Sequence, residues 1–233
     1  MFASDYRRIA RDSLAGNWGP SIVAALIASF FGGLVVGGGF SFDIDLDLDL
    51  DTLKALQENY PGFMNVLKTI LFGSTTINLL HFLMGGVIGL GYCTYLLKQH
   101  DRQERSYKDL FSHFEIYGPA LCLHLLTGLF VALWSLLFVI PGIVASYSYA
   151  MAPFIMAENP NLTARQALNA SKQMMDGNKG RLFCLDLSFI GWSILSVLTL
   201  GIGSLFLNPY TSAARAAFYR SICDERKTFG EEI

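Results

Sequence analysis

Apolar and charged positions alternate along this chain on the scale of whole helices. Four stretches contain no Asp, Glu, Lys or Arg: residues 13–42, 69–97, 116–157 and 187–214, which are 30, 29, 42 and 28 residues long. A helix that crosses a bilayer needs about 20 consecutive, mostly apolar residues. Each stretch is therefore long enough for at least one crossing, and the pattern excludes an ordinary soluble domain.

Glycine and proline positions divide the four stretches into six predicted spans. The longest stretch is interrupted by Pro141 and Gly142, and the last one is interrupted near Gly203. We therefore predict an all-α fold, a helix bundle that forms one integral membrane domain over residues 1–233. Three helical hairpins, each of two spans, would build this bundle. The predicted spans cover about residues 18–40, 75–97, 116–139, 143–157, 182–201 and 205–222.

Residues 1–17 predict an amphipathic helix before the first span. Phe2, Tyr6, Ala10 and Leu14 recur at helical spacing on one face, and three arginines occupy other positions. This distribution is typical of a helix that lies in the headgroup layer of a membrane. We therefore expect its apolar face to contact lipid.

Residues 158–181 predict a second amphipathic helix, parallel to the inner membrane surface. Thr163 and Gln166 have the spacing of a capping box, and Gly177 fits the end of the helix. Apolar and small residues follow at helical spacing, including Met174 and Met175. We interpret these methionines as packing residues, with a groove for a protein partner as the alternative.

The basic residues predict the orientation of the spans. With six crossings, one side holds residues 1–17, 98–115, 158–181 and the tail from 215, which contain 3, 4, 4 and 4 Lys or Arg. Lys54 and Lys68 complete the total of 17 on the other side. Because cytoplasmic connections carry the excess of basic residues, we expect both termini in the cytoplasm of a bacterial cell.

The connection over residues 41–62 is acidic and has a regular alternation. Aspartate occupies every second position, so a strand would present all of these side chains on one face. A calcium site is one interpretation; a solvated strand or interfacial segment fits better, because calcium loops wrap their ligands around the ion. The weak candidate metal ligands are Asp43, Asp45, Asp47, Asp49 and Asp51.

Ionisable and polar residues inside predicted spans are the other candidates for function. Asp186 and Arg215 lie at similar distances from the inner ends of the fifth and sixth spans, so we predict an ion pair between them. This pair would act as a lock between helices. The alternatives are a substrate or lipid-headgroup site, and two unpaired side chains that extend to the membrane interface. Asn78, His81 and His124 are candidate intramembrane polar groups, either hydrogen-bonded across helices or lining an ion path.

Composition and motifs narrow the function further. A hydrophobic content of 52% and a net charge of −2 exclude a disordered chain and argue against a nucleic-acid partner. We find no sequence pattern of a metalloprotease, a serine hydrolase or a phosphate-binding loop, so we expect no enzyme and no cofactor. The sequence favours a scaffolding, lipid-interacting or accessory protein that contacts anionic lipid at the cytoplasmic face, with a small transporter or exporter as the alternative.

Several motifs lie along nearly the whole chain, the acidic connection excepted. They are Ala10–Trp18, Leu90–Tyr92, Pro141–Gly142, Tyr149–Phe154, Glu158–Ala164 with Ser171, Met175, Gly177 and Lys179, Leu198–Gly203, Pro209–Tyr210 and Ala217–Tyr219. Together these motifs resemble a known family of bacterial integral-membrane proteins, domain-of-unknown-function family 975. The resemblance implies a multi-pass membrane fold and no assigned activity, so it supplies no functional residues.

Overall fold

The computed structural model of the protein describes residues 2–31, 82–199 and 201–228, and within these ranges the chain is all-helical without a strand. Two short 3₁₀ helices, Tyr107–Phe111 and Phe114–Ile116, precede α4. The helical residues 82–100 are labelled α3. The other helices are α1 (Ala3–Leu14), α2 (Trp18–Phe30), α4 (Tyr117–Leu137), α5 (Val139–Tyr149), α6 (Ala152–Glu158), α7 (Ala164–Met174), α8 (Lys179–Leu187), α9 (Ile190–Leu198) and α10 (Ser204–Thr228).

Two helical segments within the described ranges are long and apolar enough to cross a membrane. They are Tyr107–Leu137 and Ile140–Glu158. The pair α1 and α2 would make a third if it counts as one span, although its two helices are bent by 103°. The prediction of six spans is thus supported only in part and remains a prediction for the others.

The first hairpin, α4–α5, turns earlier than the sequence predicts. We expected the break at Pro141 and Gly142, but the extended residue is Phe138, with φ −159° and ψ 148°. Pro141 falls in the first turn of α5. Backbone N–H groups in the first turn make no hydrogen bond within the helix, so proline costs none there. Gly142 instead permits close packing, because a Cβ there would lie 2.8 Å from the Cα atom of Ser135.

The second hairpin, α9–α10, repeats this arrangement. Gly201 makes the turn with a φ of +85°, a conformation that favours glycine. A Cβ on Gly203 would lie 2.8 Å from the Cα atom of Ser196. In both hairpins a glycine at the start of the second helix thus faces a serine at the end of the first.

Two of the predicted spans are broken helices. The fourth span is divided between α5 and α6 at Ala150 and Met151, and the fifth is divided between α8 and α9 at Ser188 and Phe189. Pro153 explains the start of α6, because proline fits the first turn of a helix. Neither span is therefore one uninterrupted helix.

The helix α7 begins with the predicted capping box. The backbone N–H of Thr163 donates to Oε1 of Gln166 at 2.8 Å, and the Thr163 hydroxyl accepts from the N–H of Gln166 at 3.4 Å. Its apolar face packs on α4 and α6. Met174 and Met175 are fully buried in the core, as the packing interpretation predicts.

Ser171 of α7 completes the backbone hydrogen bonding at the break between α5 and α6. Its hydroxyl donates to the carbonyl of Ser148 at 2.8 Å and accepts from the N–H of Met151 at 3.2 Å. Buried backbone groups must find such partners. The break is therefore held by a side chain from a helix further along the sequence.

Three of the four apolar residues on this face of α1 pack on protein, which corrects the expectation that they contact lipid; Phe2 is exposed. Tyr6, Ala10 and Leu14 are at most 1% exposed, and α1 contacts α10. The ring of Tyr6 meets that of Phe218 edge to face at 5.3 Å between centroids. An amphipathic pattern requires an apolar partner, and here α10 supplies it.

Candidate functional site

The structure brings Asp186 of α8 and Arg215 of α10 together. Nη2 of Arg215 donates to Oδ2 of Asp186 at 2.9 Å, and Nε donates to Oδ1 at 3.3 Å. The two side chains are 24% and 15% exposed, respectively. This fork-like contact is the strong form of an arginine–carboxylate pair.

Tyr147 of α5 adds a third hydrogen bond to the same carboxylate. Its hydroxyl donates to Oδ2 of Asp186 at 3.0 Å. The carboxylate therefore accepts hydrogen bonds from two other helices. Sequence reasoning missed Tyr147, because a tyrosine within a long apolar stretch gives no signal of which partner its hydroxyl meets.

The three residues lie in the wall of a cavity of about 780 Å³. Its lining is mainly apolar and comes from α3 to α6 and from α8 to α10. Both helix breaks border it, through Ala150 and Pro153 on one side and Leu187, Phe189 and Ile190 on the other. Its volume falls in the range typical of small-molecule sites, and an apolar lining with a few polar groups is their usual composition.

His124, one of the candidate polar residues from the sequence, also lines the cavity. This residue lies on α4, and its ring lies 5.2 Å from that of Phe82 on α3. Gly86 permits the two helices to approach, because a Cβ there would lie 3.0 Å from the carbonyl oxygen of Ala120. Histidine and the ion pair thus line one common space.

Several candidate residues lie outside the described residues. They are Asn78, His81, Asp43, Asp45, Asp47, Asp49 and Asp51. Within ranges 2–31, 82–199 and 201–228, no group of three or more His, Cys, Asp or Glu could hold a metal ion. The calcium interpretation of the acidic connection thus stays a prediction.

A second polar cluster joins the helix ends away from the cavity. Arg220 of α10 binds Asp101, which follows α3, and Glu158 at the end of α6. Its Nε donates to Oδ1 of Asp101 at 3.1 Å. Arg220 thus connects three parts of the chain that are distant in sequence.

Arg181, at the start of α8, makes a similar connection. It donates to both carboxylate oxygens of Glu225 at 2.8 Å, and to the hydroxyl of Tyr6 at 2.7 Å. The hydrogen bonds from Arg181 lower the pKa of Glu225, and those same bonds raise the pKa of the arginine. Because the folded-state pKa of Glu225 lies below its unfolded value, this pair stabilises the fold at neutral pH and loses its effect as pH falls through that lowered pKa.

Where the structure describes the chain it is all-helical, and two or three of the helices there are long and apolar enough to cross a membrane. Residues 136–226 match the family described as "Protein of unknown function (DUF975)". The predicted resemblance is thereby confirmed over this range, which contains Tyr147, Asp186 and Arg215. No curated protein and no solved structure matches the chain significantly.

Proposed function

We propose that the protein is a multi-pass, non-enzymatic protein of the bacterial cytoplasmic membrane that binds an amphipathic lipid molecule between its helices. The observation that carries this proposal is the apolar cavity of about 780 Å³ with Asp186, Arg215 and Tyr147 in its wall. Ionisable residues among apolar helices are costly and mark ligand sites in membrane proteins. The combination fits a ligand with a long apolar part and a small polar part.

The rim of the cavity supports entry from the bilayer. Its large apolar side chains Ile143, Phe183, Leu187 and Ile190 are 47%, 47%, 52% and 49% exposed. Exposed apolar surface of this size is unfavourable in water and favourable in hydrocarbon. A ligand dissolved in the membrane would therefore reach the cavity without crossing water.

Six spans with both termini in the cytoplasm remain our proposal for the topology. The segments with 15 of the 17 basic residues are in mutual contact: Arg181 contacts Tyr6 and Glu225, and Arg220 contacts Asp101. These contacts join residues 1–17, 98–115, 158–181 and the tail. They support a common side for all four segments, as the excess of basic residues requires.

Filling the cavity should strongly weaken lipid binding. A Cβ on Gly128 of α4, in the cavity wall, would meet no atom within 4 Å, so a phenylalanine there would extend into open space. We expect Gly128→Phe to lower photo-crosslinking of a diazirine-labelled fatty alcohol by at least about tenfold, equivalent to about 1.4 kcal/mol.

Gly191→Phe is the matched control for this experiment. Gly191 lies on α9, is also free of atoms within 4 Å of a Cβ, and is not part of the cavity wall. Photo-crosslinking of the fatty alcohol to Gly191→Phe should equal that of the wild type. Equal labelling of wild type and Gly128→Phe would show that the lipid binds elsewhere, and the proposal would fail.

Transport is the second candidate function, and the two broken helices favour it. Interrupted helices beside a site between helices are a pattern found in transporters, and both breaks border this cavity. If the protein is a transporter, it should move a fluorescent lipid analogue between the leaflets of proteoliposomes. Gly128→Phe should stop this movement and Gly191→Phe should preserve it. If the protein binds lipid but does not move the analogue between leaflets, binding is supported and transport is contradicted.

Anionic lipid is the proposed partner at the cytoplasmic face. Arg8 and Arg11 of α1 are exposed, beside the face of α1 that packs on protein. Near a membrane surface each basic residue contributes about 1 kcal/mol of attraction to anionic lipid. We expect Arg8→Gln with Arg11→Gln to reduce enrichment of phosphatidylglycerol around the full-length protein in mixed bilayers, measured by native mass spectrometry.

The charge-conserving control replaces the same two arginines with lysine. This variant should keep the enrichment, because the attraction depends on charge rather than on guanidinium geometry. If the glutamine variant retained phosphatidylglycerol as well as the lysine variant does, the charges of α1 would have no part in lipid binding.

A further inference from the structure

Four of the hydroxyl groups that line the cavity share one hydrogen-bonding state. Each donates its proton to a backbone carbonyl three or four residues earlier in its own helix. Such a hydroxyl has no proton left, and it presents only oxygen lone pairs to the cavity. They belong to Thr127 (2.8 Å to Leu123), Ser146 (2.7 Å to Ile143), Ser193 (3.1 Å to Phe189) and Thr211 (3.1 Å to Asn208).

Tyr147 extends this pattern. It also lines the cavity, and its only hydroxyl proton is donated to Asp186. Beside the hydroxyl of Tyr149 and the ring of His124, the cavity wall formed by the described residues therefore contains five hydroxyl oxygens that can only accept hydrogen bonds. A ligand whose polar end donates hydrogen bonds would satisfy these acceptors, whereas one that only accepts would leave them unpaired.

The charges of the wall exclude an ionic ligand. Asp186 and Arg215 are the charged residues of the described lining, and they neutralise each other through two hydrogen bonds. An anionic or cationic headgroup would thus enter an apolar space that offers no net opposite charge. Burial of an uncompensated charge is strongly unfavourable.

We infer that the ligand is an uncharged amphiphile whose polar end is a hydroxyl group, such as a long-chain alcohol. This inference rests on the proposed binding function and names the ligand class of the same cavity. The apolar rim admits the chain, the lone pairs of the wall accept the hydroxyl proton, and the neutral ion pair neither attracts nor requires a charge.

Four ligands that share one oleyl chain test the inference on the full-length protein in detergent. They are oleyl alcohol, oleyl methyl ether, oleate and protonated oleylamine, and affinity is measured from ligand-dependent thermal stabilisation. The alcohol should bind about fivefold more tightly than the ether, because one hydrogen bond is lost. It should bind at least about tenfold more tightly than either ion.

The outcomes separate this inference from the proposed function. Equal affinity for alcohol and ether, or a preference for either ion, would overturn the ligand class while leaving amphiphile binding intact. Absence of stabilisation by all four ligands would overturn both. Because the series uses the unmodified protein, the result does not depend on whether a variant folds.

A variant series assigns the preference to the wall. Replacing the four helical hydroxyls, Thr127→Val, Ser146→Ala, Ser193→Ala and Thr211→Val, should reduce the preference for alcohol over ether, with the Tyr147 oxygen left as an acceptor. Ser188→Ala is the control, because its hydroxyl also donates to a backbone carbonyl, at 2.6 Å from that of Leu185, but does not line the cavity. A preference of unchanged size in the fourfold variant would contradict the role of these oxygens.

Discussion

Replacement of Gly91 by alanine is expected to be among the most destabilising single changes in this protein. Gly91 lies on α3 where this helix crosses the 3₁₀ helix Tyr107–Phe111. A Cβ at this position would lie 2.7 Å from the Cα atom of Leu110 and closer still to its carbonyl group. All the atoms in conflict belong to the backbone, so no side-chain rotation can relieve the overlap.

Two opposing terms set the size of this effect. Overpacking typically costs 1–3 kcal/mol, and the rigid backbone partner places Gly91→Ala at about 3 kcal/mol. Alanine favours a helix over glycine by about 1 kcal/mol. We therefore expect a net loss of about 2 kcal/mol in the free energy of unfolding, measured by denaturant titration of the protein in mixed micelles.

Gly191→Ala provides the control, because Gly191 is an exposed helical position with no atom within 4 Å of a Cβ. The gain in helix propensity is unopposed there, so this variant should be up to about 1 kcal/mol more stable than the wild type. If the two alanine variants unfolded alike, the close approach of α3 to Leu110 would be wrong.

The ion pair in the cavity wall gives the second large prediction. Removing one partner of this largely buried pair leaves an uncompensated charge, at a cost of about 3 kcal/mol, the lower end of the range for fully buried pairs. We expect Asp186→Asn and Arg215→Gln each to lower the free energy of unfolding by about this amount. The double variant should lose at least about 1 kcal/mol less than the sum of the two, because the second change removes a charge that is already unpaired.

Additive effects of these two changes would contradict a direct interaction. The control combines Asp186→Asn with Arg165→Gln, in which the arginine is an exposed residue of α7. Substitutions at independent sites usually add within about 0.5 kcal/mol. The same denaturant titration measures all variants, so the coupling is obtained from one type of experiment.

The sequence predicts this site in part, because depth along a helix can be counted in residues. Asp186 and Arg215 flank one charge-free stretch at comparable distances from the ends of two helices, and the structure brings them together. Tyr147 could not be placed in the same way. Its contact depends on how α5 is rotated toward α8, and a uniformly apolar stretch carries no periodic signal that fixes a rotation.

The fold shows the same division between what is local and what is not. The capping box of Thr163 and Gln166 depends on residues three apart, and it was predictable. The turn at Phe138 was not, since Pro141 is compatible with a helix that has already begun. The prediction of lipid as the partner of α1 was also wrong. An amphipathic face indicates that an apolar partner exists, but it does not distinguish lipid from protein.

Ser171 connects the cavity wall to a helix that does not line the cavity. Its hydroxyl closes the backbone at the break beside Ala150, which lines the cavity, while its own helix α7 carries Arg165 and Lys172 on its exposed side. A rotation of α5 relative to α6 must either break these hydrogen bonds or move Ser171 together with the backbone. Movement at this break is therefore coupled to the position of α7 through two hydrogen bonds of one side chain.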